Sequence, residues 1–289
     1  MAHFRRSKLA QAALLSFLTL GIVQSCSDTE PAPRSGSLDD VQAASLVDGA
    51  NEDLNGIALE AMAEISQNQG GIAAGTQADG YPFTYTGKAT CSTNTIDFDN
   101  QIITIDFGEG CTNNDGKFRE GQIEIHFTDY RNVEGAVITT SSDNFKVENI
   151  GITGTRTLTN TGNEAENEWS YAIRLEDGVI TFQDGSTRTF EGDKSRTWKF
   201  DEQTEELTIT ETGKIYGTNR LRLTYNEEIT TPLLYKGSCA EEAAIPVSGA
   251  REITIANQTF GIDYGSGDCD KEVLITWPNG EEQTFVISD

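Results

Sequence analysis

Positive charge is scarce in this chain. Its 289 residues include 21 Lys and Arg against 46 Asp and Glu, a formal charge of −25. Such an excess repels phosphate backbones and anionic headgroups, which argues against nucleic acid and against a basic membrane-surface patch. Histidine is scarcer, with two residues, His3 and His126. No G-x-S-x-G elbow, S-x-x-K, H-E-x-x-H, P-loop or complete G-x-G-x-x-G occurs, so no familiar hydrolase or nucleotide signature is present. The apolar run Ala12 to Val23 is twelve residues long, short of the roughly 20 that cross a bilayer as a helix. The 28 Gly and 6 Pro are too few for a collagen-like or low-complexity chain. Hydrophobic residues make up only 36%, yet 13 Phe, 8 Tyr and 3 Trp are too many aromatics for a disordered protein.

What is present begins at the N-terminus. Arg5, Arg6 and Lys8 precede the short apolar run, the order of a secretory signal peptide. Val23-Gln24-Ser25-Cys26 follows and resembles the lipobox of bacterial lipoproteins, with Val23 and Ser25 matching the pattern and Gln24 departing from it. The resemblance implies that Cys26 becomes the first mature residue and the site of lipid attachment. The membrane would then be a partner through N-terminal acyl chains, several of which hold a protein firmly where one does not. Ser27-Asp28-Thr29-Glu30 resembles the acidic export signal of Bacteroidetes-type surface lipoproteins, which implies an outer-membrane protein facing out of the cell. The expected organisation is therefore a signal peptide over 1–25, an acidic flexible tether over 26–37, a helical segment and Gly-rich linker over 38–80, and a β domain over 81–289.

Four further cysteines, Cys91, Cys111, Cys239 and Cys269, suit two disulfides in an exported chain, with three possible connectivities. An internal repeat chooses among them. Ile105-Asp106-Phe107-Gly108-Glu109-Gly110-Cys111 matches Ile262-Asp263-Tyr264-Gly265-Ser266-Gly267-Asp268-Cys269, and each unit has one more Cys upstream. Two equivalent units pair Cys91 with Cys111 and Cys239 with Cys269. A zinc site competes weakly, because no CxxC spacing supports it.

Leu54, Ile57, Ala58, Ala61, Met62 and Ile65 recur at helical spacing, which predicts a helix over about 51–67 packed on the main domain. Gly49 and Gly56 weaken the first part of the plausibly helical region 38–67. From Tyr81 onward the period is two, as in Trp169, Tyr171, Ile173 and Leu175. About 14 short segments with turn signals between them predict an all-β fold: an antiparallel meander, sandwich or long twisted sheet. Asp184-Gly185 and Asn279-Gly280 sit in a second repeat, I-T-[FW]-x-[DN]-G-x-x-x-T-F, and suggest two-residue type I′ hairpin turns.

Candidate sites are few. His126 falls on the polar face of its strand beside Glu124 and reads as a solvated residue. Calcium is the one cofactor to consider, from Asn113-Asn114-Asp115 and from Asp268, Asp270 and Glu272, although neither group has EF-hand spacing and both read rather as polar turns with Asx hydrogen bonds, so no cofactor is expected. The pattern [ST]-R-T-[apolar] recurs at Arg156, Arg188 and Arg196. Arg188, Arg196 and Trp198 are thus candidate ligand-binding residues, with guanidinium stacked on exposed aromatic to take a sugar or acidic glycan. The alternative is that these Arg stems cap the border of a buried face.

The expected function is a surface-exposed, non-catalytic binding or structural module with a glycan or protein ligand. A periplasm-facing assembly or lipid-handling factor is the second possibility, and an extracellular hydrolase the third. The body resembles uncharacterised β-rich surface lipoproteins, a likeness that brings no activity with it.

Overall fold

The computed structural model describes residues 38–69, 88–162, 167–239 and 245–286. The expected signal peptide, the lipid-bearing Cys26 and the tether lie outside them. The fold is all-β with one helix, α1 (Leu38–Gln69). The strands are β1 (Thr93–Asp97), β2 (Ile102–Asp106), β3 (Cys111–Thr112), β4 (Phe118–Phe127), β5 (Val137–Val147), β6 (Ile150–Gly162) and β7 (Glu168–Thr181). They continue as β8 (Thr187–Asp201), β9 (Glu206–Thr218), β10 (Thr224–Lys236), β11 (Ser248–Ile255), β12 (Gln258–Ser266), β13 (Glu272–Thr276) and β14 (Glu282–Val286). All belong to one antiparallel sheet in which each strand pairs with its neighbour in sequence, apart from short β3, which hangs on β4. This is a meander, and alternation explains it: every long strand has one apolar face to bury and reaches its partner through a short turn.

The helix starts earlier than the periodicity predicts. Gly49 and Gly56 do not interrupt it. A Cβ on Gly56 would fall 2.6 Å from Cε of Lys88, so the missing side chain lets Lys88 lie across the helix and reach Asp53 at 3.0 Å. Nor is α1 merely packed along one stripe. From Ala50 to Met62 every residue except Glu52 and Gly56 is buried, polar Asn51, Asp53, Asn55 and Glu60 included. A helix buried on all sides must be surrounded.

The sheet does the surrounding. Arg119 of β4 binds Asp53, and Arg251 of β11 binds Asp48. Those two helix residues are five apart, a rise of about 7.5 Å. Strands β4 and β11 are seven steps apart in the sheet order, roughly 34 Å if the sheet were flat. Two arginine side chains cannot span that difference, so the sheet curls around the helix. The core is accordingly a single cluster, running from Val47, Ile57 and Met62 of α1 to Ile123, Tyr171, Trp198, Ile253 and Ile275 of the strands.

The turns correct one expectation. Gly185 and Gly280 have positive φ, but Asp184 and Asn279 do not. In both turns the glycine N–H donates to the residue three before it, Phe182 or Trp277, and the aromatic residue's own N–H is taken by Ser186 or Glu281. These are three-residue loops, a type I turn with glycine in the left-handed position. Pro278 fits that choice, since its fixed φ suits the second position of a type I turn. Two-residue turns with both φ positive occur instead at Glu148-Asn149 and Ala256-Asn257.

The cysteine repeat is realised as expected. Cys91 bonds Cys111 and Cys239 bonds Cys269. In both units the aspartate accepts the N–H of the glycine two residues on, Asp106 from Gly108 at 2.7 Å and Asp263 from Gly265 at 2.8 Å. The two copies fix opposite ends of the sheet, beside β2 and β12.

Candidate functional site

The residues that carry chemistry gather at the interface of α1 with the sheet. Strand β8 shows why. Its even positions Arg188, Phe190, Lys194, Arg196 and Trp198 share one face, while Thr187, Thr189, Glu191, Asp193, Ser195, Thr197 and Lys199 share the other. The second face has no apolar residue, so the first must be buried and carries its cations inward. Arg188 is 1%, Arg196 3% and Trp198 1% exposed.

This corrects the expectation of an open stacking surface at those three residues. Trp198 packs edge-on against Tyr171, ring centres 4.8 Å apart, deep in the core. Nor do the arginines mark a border. Arg196 binds Glu211 of β9 and, at 2.6 Å, Glu52 of α1. Lys194 reaches Glu211 at 2.8 Å and Asp48 at 3.3 Å. Arg251 holds Asp48 and Glu227 at 2.6 Å each and donates to the Tyr264 hydroxyl. Arg188 lies over the ring of Tyr225, 3.9 Å from its centre, and 3.5 Å from Glu227. Further along the helix Arg119, completely buried, forks onto Asp53 and Asp115.

Burial by itself would raise the Asp48 and Glu211 carboxyls. The neighbouring cations outweigh it: Lys194 and Arg251 hold Asp48 well below the ordinary carboxylate range, and Arg196 and Lys194 pull Glu211 down to about 2. These acids stay ionised as partners for arginine and lysine. A cavity of about 20 Å³ lies among Asp48, Glu52, Arg196, Tyr235, Arg251 and Tyr264, room for about one water-sized occupant.

The open surface offers a different place. A shallow groove of about 480 Å³ has Leu46, Ile150 and Phe182 as its apolar part and Glu148, Asp184 and Arg220 as its polar part. Arg220 lies over the Phe182 ring, 4.6 Å from its centre, and is tied to Asp184 and to Ser186 Oγ. Among the described residues this is the guanidinium–aromatic stack whose cation faces solvent, with Arg220 36% exposed above a Phe182 ring that is itself buried. The sequence pattern that singled out Arg196 did not include Arg220, which comes from the loop after β9. The pairing of β8 with β9 sets the Asp184-Gly185 turn beside that loop and so brings Arg220 to Phe182.

The remaining candidates are placed as follows. His126 is exposed, its Nε2 2.7 Å from Glu124 Oε1. Asn113 Oδ1 accepts the Cys91 N–H, and Asp115 is engaged by Arg119. Asp270 accepts the Glu272 N–H in a local turn. Among the described residues no three His, Cys, Asp or Glu side chains are grouped to hold a metal ion. No described helix is long and apolar enough to cross a membrane. Comparison with protein-family models, curated proteins and solved structures finds no match.

Proposed function

We propose that this chain is an outer-membrane-anchored lipoprotein that displays its β domain on the cell surface as a non-catalytic binding module, with a glycan as the ligand of the Phe182–Arg220 groove. The observation that carries the reading is the groove itself: a guanidinium stacked on an aromatic ring at an open surface, with Glu148, Gln183 and Asp184 beside it to hydrogen-bond hydroxyls. The buried charges support it as well. A general acid needs a carboxyl raised toward neutral pH, whereas Asp48, Asp53 and Glu211 are all held low by bound cations. The export signature and the two disulfides agree with an extracytoplasmic setting.

The second reading, a periplasm-facing lipid-handling factor, draws on the curl of the sheet, since a concave apolar face is what such a factor requires. Here that concavity is taken up by α1. Digestion of intact cells with a large protease separates the two. Loss of the protein while a periplasmic control survives supports surface display, and full protection favours the periplasmic factor. Radiolabelled palmitate incorporation lost in Cys26→Ser tests the anchor. Glycan-array binding that disappears in Arg220→Ala, with an unchanged melting temperature, tests the groove. A protein partner captured in place of any glycan would redirect the ligand assignment.

A further inference from the structure

We propose that the core beneath α1 binds one monovalent anion of chloride size, seated between Arg156 of β6 and Thr140 of β5. The two residues are direct register partners, and both point into the core, Thr140 2% and Arg156 5% exposed. The Arg156 side chain has no carboxylate within 4 Å and no hydrogen bond among the described residues, and its Nε–H is fully enclosed. The Thr140 hydroxyl is enclosed and unpartnered beside it. A guanidinium can only donate, so the missing partner is an acceptor. Arg188, Lys194, Arg196 and Arg251, by contrast, each have a carboxylate within 3.5 Å.

The space is small and built. Asn51 and Leu54 of α1 close it above, and Phe190 and the backbones of Gly154 and Gly178 close it at the sheet. A Cβ on Gly154 would stand 2.7 Å from the Gly178 Cα, so β6 approaches β7 there only because residue 154 is glycine, while the missing side chain of Gly178 makes room for the Phe190 ring. The cavity measures about 10 Å³. That holds one occupant of about water's size and excludes phosphate, sulfate and carboxylate ligands.

Charge decides between water and an anion. The cations of this cluster are Arg156, Arg188, Lys194, Arg196 and Arg251, and its carboxylates are Asp48, Glu52, Glu211 and Glu227. One positive charge is left over, and the cation without an ion pair is Arg156. Tyr225 and Tyr264 do not supply the balance, because burial pushes both up to about 12 and keeps them neutral. Burial also pulls Arg156 down, to about 10, which still leaves it charged at neutral pH. Water would satisfy the hydrogen bonds but leave Arg156 facing only the more distant carboxylates of Glu52, Glu211 and Asp48, none of them in an ion pair with it, which is costly for a buried charge. One halide satisfies both.

The test compares the mature chain in sodium chloride and in sodium gluconate at equal ionic strength, and locates bromide by anomalous scattering in crystals grown from sodium bromide. The expected results are a melting temperature higher in chloride by roughly 3 °C at saturating concentration and a bromide peak between Arg156 and Thr140. Arg156→Met should lose both. Should that variant not fold, Thr140→Val keeps the charge and should show a smaller chloride dependence than the parent. Equal melting in the two salts with no bromide peak at Arg156 overturns the proposal in favour of water. A chloride effect undiminished in Arg156→Met or Thr140→Val overturns it as well.

Discussion

At the scale of single residues, the buried arginines and lysine matter because each belongs to two elements at once. Arg196 ties β8 to β9 and to α1, so removing Glu211 leaves two buried cations, Arg196 and Lys194, with one carboxylate fewer between them. Glu211→Gln should therefore destabilise by about 3–5 kcal/mol in urea unfolding, far more than an exposed pair such as Lys214 with Glu228 would. Trp198→Ala should also cost about 3–5 kcal/mol, since it empties a packed site against Tyr171. Unchanged stability with lost ligand binding would restore Trp198 as a surface residue.

The pH dependence follows from the same groups. Glu211 ionises near 2 in the folded chain against 4.5 ordinarily, and Asp48 is also lowered. The unfolded chain therefore binds more protons in this range. The stabilisation from Glu211 is complete above about pH 4.5 and is lost as pH falls toward 2. Urea midpoints measured between about pH 5 and pH 2 should fall steeply, and Glu211→Gln should flatten that fall.

At the scale of elements, the strands were legible because alternation reports one buried face directly. The pattern in Ile123, Ile125 and Phe127 against Glu124, His126 and Thr128 needed no tertiary knowledge. The helix was only half legible. Gly49 and Gly56 fall in its middle, and its sheet-facing positions include Asp48 and Asp53, which local rules assign to solvent. Their partners lie 66 to 203 residues away in sequence, in Arg119 and Arg251, and no local pattern joins them. The [ST]-R-T motif is visible in the sequence, but the face it presents follows only from the all-polar opposite face of β8. The two glycines of α1 should respond differently. A Cβ on Gly49 meets nothing within 4 Å, so Gly49→Ala should stabilise by about 0.5–1 kcal/mol through helix propensity. Gly56→Ala should lose that gain by displacing Lys88 from Asp53. Thermal melts of the two variants check this, and an equal rise in both would remove the close approach at Gly56.

At the scale of the whole molecule, the sheet and the helix complete each other. A meander this long would, if flat, leave one broad apolar face uncovered. Curling around α1 buries that face and sets helix carboxylates against strand cations. Exposed carboxylates such as Glu124, Glu191, Asp193 and Glu252 then lie on the polar faces of the strands. One disulfide fastens the β3 end of the sheet, and the other joins the turn after β10, which is held to β9 through Ser238 and Glu206, to the loop between β12 and β13.

Hydrogen exchange along α1 in the intact chain tests this architecture most directly. If the sheet encloses the helix, the amides of residues 50–62 exchange as slowly as those in the middle of β7 and β8, because they are released only by opening of the sheet. Exchange of that segment within seconds, while β7 and β8 stay protected, would place the helix outside the sheet and contradict the account.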